Sequence, residues 1–212
     1  MGGLDVHMRG VTCGHGRVVA VDGVDLEVAA GERVALTGTN GSGKSTLLRA
    51  VLGLHRPAAG SILVGGRGTA STADRAWRRR ACAWVPQKPA AGRFPLLAGE
   101  LLDSGGAPEQ AADAARALGV GDLRRQALDT LSGGQLQRMY LARAIGCVGA
   151  GAGVLLADEP TAALDFAGQE EAAAVLMALP VTVVVVTHDR ALASRCDRVL
   201  DMAAGRLREV GL

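Results

Sequence analysis

Gly38-Thr39-Asn40-Gly41-Ser42-Gly43-Lys44-Ser45-Thr46 decides how the rest of this chain is read. It fits Gly-x-x-x-x-Gly-Lys-Ser/Thr, in which glycines let backbone N–H groups converge on phosphate oxygens without side-chain clash. A short apolar run, Arg33–Leu36, precedes it. Lys44–Leu54 follows with helical spacing that offers Leu47, Leu48, Val51 and Leu52 to one buried face. Strand, loop and helix in that order turn a helix N-terminus, with its partial positive charge, toward the same anion. Lys44 is placed to reach the β- and γ-phosphates of a nucleotide, and the Ser45 hydroxyl to ligate Mg²⁺. Lys44 and Lys88 are the only lysines among 23 Lys and Arg residues. A compact ammonium fits between phosphate oxygens where a planar guanidinium does not.

Outward from the loop, further strands are expected at Ser61–Val64, Cys82–Val85, Val154–Ala157, Val181–Thr187 and Arg198–Met202. Helical spacing covers Leu96–Leu102, Pro108–Leu118 and Gly133–Ile145. Strands alternating with helices predict an α/β fold with a mostly parallel sheet covered on both faces. The segment from about Lys88 to Ile145 carries no strand pattern and reads as a helical lobe set into the core. Gly146–Gly153, rich in glycine, reads as a mobile loop leading back to the core. The expected organisation is one domain over 1–212, with its core at about 1–87 and 146–212 and its lobe at about 88–145.

Composition narrows the class. Of 212 residues, 49% are hydrophobic and 21% charged, which favours a folded chain over disorder. A formal net charge of +2 gives no strong pull toward nucleic acid, and none is expected as a partner. Val181–Thr187 is strongly apolar but far too short to cross a bilayer. Met1–Gly10 has no apolar run and reads as lacking a secretory signal. Cys13, Cys82, Cys147 and Cys196 are scattered and read as reduced thiols.

Two further segments bear chemistry. Val154–Glu159 is an apolar run ending in two carboxylates. A strand here would bring Asp158 to the carboxyl edge of the sheet, where ligands sit in open α/β folds. Asp158 can hold Mg²⁺, and Glu159 can accept a proton from the attacking water or orient it. Leu131-Ser132-Gly133-Gly134-Gln135 opens a helical pattern, with Ser132 as a natural N-cap and a Gly-Gly backbone able to approach an anion. Taken singly, this segment is also a plain capped helix start, Gln87 an ordinary loop residue and His188 a structural histidine.

Together these motifs resemble the ABC ATPase family. Leu131–Gln135 with Leu136-Gln137-Arg138 and Leu141-Ala142-Arg143-Ala144 looks like its signature segment. The glycine loop, Trp84-Val85-Pro86-Gln87, Asp158-Glu159-Pro160-Thr161, Ala163-Leu164-Asp165 and Thr187-His188-Asp189 match its other motifs in the same order. The resemblance runs from about residue 8 to 208. It implies a P-loop NTPase core with an antiparallel β portion near the N-terminus and an inserted helical lobe. It also implies a homodimer that sandwiches ATP and Mg²⁺. Gly38, Thr39, Asn40, Gly41, Ser42, Gly43, Lys44, Ser45 and Thr46 of one copy would then face Ser132, Gly133, Gly134 and Gln135 of the other. The same resemblance assigns Glu159, His188 and Gln87 to catalysis and Ser45, Gln87 and Asp158 to the metal. It places Asp165 at the dimer seam. The chain departs from the family pattern at three points. His15 stands where an aromatic, often Tyr, stacks on adenine. Ala163 stands where many members have Ser. Gly146–Gly153 is longer than the usual link and lacks its proline.

The interval between Lys44 and Ser132 is too short for the coiled-coil insertions of members that act on DNA. A single cassette also differs from the paired cassettes of members that act on ribosomes. The chain therefore resembles the ATPase subunit of a membrane transporter, expected at the cytoplasmic face of the membrane with permease subunits as separate chains. An extracytoplasmic substrate-binding protein is a further candidate partner. Val85-Pro86-Gln87-Lys88, Phe94-Pro95 and Asp165-Phe166-Ala167-Gly168-Gln169 are similar to segments of zinc or manganese uptake subunits. The rival reading is a non-transport ATPase or a regulatory nucleotide-binding module.

Overall fold

Valine-rich runs with no polar alternation leave no face for solvent, and they form the middle of the molecule. The computed structural model describes residues 2–87 and 96–210. Its larger sheet holds β3 (Arg33–Thr37), β5 (Cys82–Val85), β6 (Val154–Asp158), β7 (Thr182–Val186), β8 (Arg198–Ala203) and β9 (Arg206–Val210), in the order β5-β6-β7-β3-β8-β9. The first five run parallel; β9 folds back antiparallel on β8. β1 (Val6–His15), β2 (Val18–Val28) and β4 (Ala59–Val64) form a separate antiparallel sheet in the order β2-β1-β4.

Alternate residues of each central strand feed two different cores, as strand geometry requires. Val184 and Val186 of β7, Val34 and Leu36 of β3 and Leu156 of β6 pack with the antiparallel sheet and α1 (Lys44–Val51). Val183, Val185, Ala35, Leu155 and Ala157 pack on the other side. There they meet α3 (Ala98–Asp103), α4 (Pro108–Ala117), α5 (Gly133–Gly149), α6 (Phe166–Met177) and α7 (Arg190–Ala193). Leu47, Leu48, Val51 and Leu52 are buried against the antiparallel sheet's core, on the helix face their spacing predicts.

One expectation fails. Gly146–Gly153 is not a loop throughout: α5 continues to Gly149, and only the residues beyond it turn toward β6. The glycines serve packing. A Cβ on Gly146 would stand 2.8 Å from the Ala111 Cβ of α4, and one on Gly149 would stand 3.1 Å from that of Ala107. Two helices approach so closely only where side chains are absent. The last residue is also tied down: the Gly153 N–H donates to Ala81 O, and its carbonyl accepts from the N–H groups of Leu4 and Thr182.

α2 (Thr72–Ala81), which leads into β5, contains a fully buried arginine. Arg78 donates from Nη1 to Val51 O at 2.7 Å, and from Nη2 to Arg67 O at 2.6 Å and Ile62 O at 3.3 Å. It thereby satisfies the end of α1 and fastens α2 and β4 to it. Burial lowers the guanidinium's pKa from its ordinary value, with partial relief from Cys82 and Asp74. The same burial pushes the Cys82 thiol up to about 12, so it is inert as a nucleophile. The four cysteines are free thiols.

Candidate nucleotide-binding site

Three neighbouring strands, β6, β7 and β3, end at the same edge of the sheet and deliver the site. β3 runs into the glycine loop, β6 ends in Asp158 followed by Glu159, and β7 is followed by His188. A cavity of about 450 Å³ opens there, lined by the loop from Asn40 to Thr46 together with Gln87, Asp158, Glu159 and His188. His15, Val18, Ala20 and Val186 complete its wall.

The loop's glycines are sterically required at two points. A Cβ on Gly38 would stand 2.1 Å from Met202 O, and one on Gly43 would stand 2.1 Å from Ala20 O. Gly43 also has φ 111°, a left-handed conformation that side chains disfavour. Gly43 caps α1 with no side-chain hydrogen bond, so the helix presents its first N–H groups without a built-in anionic cap. Lys44 is buried beneath this loop. Its Nζ donates to Gly38 O at 2.5 Å, Thr39 O at 2.8 Å and Ser42 Oγ at 3.4 Å. Gly38 and Thr39 thus contribute carbonyls to the lysine rather than lining the cavity. Burial lowers the Lys44 pKa, opposed by the charges of Glu159, Asp158 and Asp201.

Asp158 is 2% exposed and its Oδ1 is buried with no hydrogen-bond partner. Desolvation raises its pKa, while the Ser45 hydroxyl, Arg49 and Lys44 oppose the shift. A buried, unpaired carboxylate oxygen beside a serine hydroxyl is an oxygen-only donor set, which suits a hard divalent cation such as Mg²⁺. Glu159 has φ 50°, left-handed for a non-glycine residue, at the point where the chain leaves β6. Its N–H still donates to Val186 O at 2.9 Å, which extends the β6–β7 pairing into the site. Burial raises its pKa first; the charge and backbone N–H of His188 oppose this.

Ser132, Gly133, Gly134, Gln135 and Asp165 lie elsewhere. Ser132 caps α5: its Oγ accepts from the Gln135 N–H at 3.3 Å, and Gln135 Oε1 accepts from the Ser132 N–H at 2.9 Å. Asp165 caps α6, accepting from the Gly168 N–H at 3.1 Å. A Cβ on Gly134 would stand 3.1 Å from Ala163 O, and Arg138 Nη2 lies 3.5 Å from Asp165 Oδ1. These residues therefore form one patch around the starts of α5 and α6, apart from the cavity.

Val18, Ala20 and Val186 were not expected in the site. Ala20 and Val186 carry no distinguishing sequence signal. Neither does Val18: its 68% exposure and its pairing with His15 across the β1–β2 hairpin appear only in the structure.

Residues 21–162 match the family model described as ABC transporter. Over 202 residues the chain is 39% identical to a hemin import ATP-binding protein, HmuV, of Rhodopseudomonas palustris; the match covers 88% of this chain and 75% of that one. It is 37% identical over 201 residues to a lipoprotein-releasing ATP-binding protein, LolD, of Anaeromyxobacter dehalogenans, covering 87% and 83%. A macrolide export ATP-binding/permease protein, MacB, of Rhodopseudomonas palustris is 37% identical over 206 residues. The chain spans only 31% of that protein's length. Among solved structures, a dimeric ATP-binding cassette in a post-hydrolysis state with ADP and Pi superposes with a TM-score of 0.86 at 28% identity, over 98% of each chain.

Proposed function

The chain belongs to the ABC transporter family, as an ATP-binding cassette whose ATPase activity is coupled to transport, and from that premise we propose that a second copy completes each of its nucleotide sites. The carrying observation is the split between the cavity and the patch around Ser132 and Asp165. One chain holds a phosphate cradle and, apart from it, an exposed Ser-Gly-Gly helix start. Two copies packed head to tail would bring each patch over the partner's cradle, with Asp165 at the seam. The solved dimeric cassette with ADP and Pi supports this arrangement.

Within one site the residues divide the work. The loop N–H groups and Lys44 bind the triphosphate, with Lys44 exchanging its bonds to Gly38 O and Thr39 O for stronger charge-assisted ones. Ser45 and Asp158, with Gln87 from the end of β5, would hold Mg²⁺. When bound, the ion offsets charge on the phosphate oxygens. Glu159, whose pKa is raised by burial, accepts the proton of the attacking water more readily than an exposed glutamate would. The His188 backbone N–H fixes the Glu159 carboxylate, and its imidazole at the cavity edge would hydrogen-bond the γ-phosphate.

We read residues of about 88–145 as the helical lobe, with the permease docking in the groove near Gln87 and the start of that lobe. No helix among the described residues is long and apolar enough to cross a membrane. Permease subunits are the proposed partners, as the transporter-subunit relatives suggest, with this chain at the cytoplasmic face. An extracytoplasmic substrate-binding protein is a further proposed partner. The relatives' names span hemin import, macrolide export and lipoprotein release. They lend nothing to zinc or manganese uptake, and Lys88, Phe94 and Pro95 lie outside the described residues. Cargo choice is accordingly placed with the permease.

The test is Glu159→Gln. With ATP it should elute as a dimer on size exclusion, while the ATP-free protein elutes as a monomer. A monomer under both conditions, with ATP binding intact, overturns the shared site. Recovery of the native protein from membranes with a hydrophobic partner distinguishes a transporter subunit from the rival non-transport ATPase.

A further inference from the structure

Beside the phosphate loop, the cavity is bounded by a hairpin whose two edge residues have the chemistry of a ring-binding platform. β1 ends at His15, a two-residue turn containing Gly16 (φ 62°) follows, and β2 begins at Val18. His15 and Val18 are directly paired in the β1–β2 register, so their side chains share one face of the sheet. Both line the cavity. An apolar side chain 68% exposed beside an imidazole, at the rim of a phosphate cradle, matches a flat and largely apolar ring better than it matches water.

An exposed imidazole on a hairpin end would ordinarily sample several rotamers. Here it is held from two sides by the α1 region. His15 Nε2 lies 3.3 Å from Thr46 Oγ1 in the first turn of α1. The His55 ring packs against it at a centroid separation of 4.9 Å and an interplanar angle of 58°. His55 is anchored to the same helix, since its N–H donates to Arg49 O at 3.1 Å. That ring geometry falls within the attractive range for tilted aromatic pairs. His55 does not line the cavity and acts on it only through His15.

Resting on the reading that the cavity takes ATP with its base toward this hairpin, we infer that His55 is a positioning residue for nucleotide recognition: it backs the His15 imidazole, which with Val18 forms the platform for the base. The platform contributes more to base binding when His15 is already oriented as the nucleotide arrives, because each freely rotating side chain that must be fixed weakens binding.

The experiment measures dissociation constants of ATP and of inorganic tripolyphosphate, which has no base, for the parent and for H55A, H55F, H15A and H15A/H55A. Losing one tilted ring contact should weaken ATP binding by about five-fold in H55A, leave tripolyphosphate unchanged, and be largely restored in H55F. The double variant should bind ATP no more weakly than H15A alone. ATP binding by H55A equal to the parent's overturns the inference. So does an equal loss for both ligands, which would mark a general structural role, or full additivity with H15A. A parent that binds tripolyphosphate but gains nothing from the nucleoside of ATP would instead overturn the reading of the cavity on which the inference rests.

Discussion

Glu159 meets His188 at two points: Oε2 accepts the His188 backbone N–H at 3.3 Å, and Oε1 lies 3.3 Å from His188 Nε2 without hydrogen-bond geometry. The first contact fixes the carboxylate to the segment that follows β7. The second leaves one oxygen buried without a hydrogen bond, within ion-pair distance of the imidazole at the cavity wall. A carboxylate so placed is oriented through one oxygen and free to take a proton through the other.

Glu159→Gln keeps an acceptor for the His188 N–H but removes the basic oxygen. Steady-state ATPase measurements should show kcat reduced by roughly 100- to 10,000-fold, the usual contribution of a general base, with ATP affinity retained. Hydrolysis at the parent rate would remove Glu159 from this role.

The same substitution should stabilise the fold in a pH-dependent way. Folding raises the Glu159 pKa above its ordinary value of 4.5 through desolvation. The folded state therefore holds the proton more tightly than the unfolded one, and ionised Glu159 carries a penalty at neutral pH. That penalty sets in as pH rises through the raised pKa and is absent below the unfolded value. Thermal unfolding should give a higher Tm for Glu159→Gln at pH 7, roughly 2–4 °C for each kcal/mol recovered. The difference should vanish as pH falls below about 4.5. A gap that does not depend on pH would mean that desolvation of the charge is not its cause.

Lys44→Ala should weaken ATP binding by roughly 10- to 100-fold, the worth of a charge-assisted hydrogen bond in a protein. Because Lys44 also ties Gly38 and Thr39 together, calorimetric titration should be accompanied by an unfolding curve. Unchanged affinity in a folded variant would exclude the loop as the phosphate site.

Arg78→Met leaves the carbonyls of Val51, Ile62 and Arg67 without the donor that reaches all three. Urea unfolding should show a loss of about 3 kcal/mol or more, as expected for buried acceptors left unsatisfied. Arg78→Lys should recover only part of this, since a single ammonium cannot span three acceptors as the fork does. Full stability in Arg78→Met would mean that water or a local shift replaces the guanidinium.

Gly146→Ala separates the two readings of the glycine-rich stretch. In a loop or an uncrowded helix the change would be neutral, or stabilising by about 0.5–1 kcal/mol. Against Ala111 it should instead destabilise by about 1–3 kcal/mol through overpacking. Urea midpoints at constant m-value decide between them.

Local order in the chain was enough to determine much of this protein. The glycine loop between an apolar run and an amphipathic helix, the valine runs buried on both faces, and the acidic strand end are all short-range patterns, set by backbone sterics and burial period. The α/β class and the motifs of the site were legible for that reason. Only the tertiary structure decided which motifs meet. β7 lies between β6 and β3, so Glu159, His188 and Lys44 share a cavity, while Ser132 and Asp165 form a patch elsewhere. It also decided that Gly146 and Gly149 serve close helix packing, that Arg78 is buried under α1, and that His55 lies against His15. Each of these depends on residues far apart in sequence or on separate elements brought within a few ångströms. No propensity or periodicity records such a distance, because it is fixed by how whole elements pack.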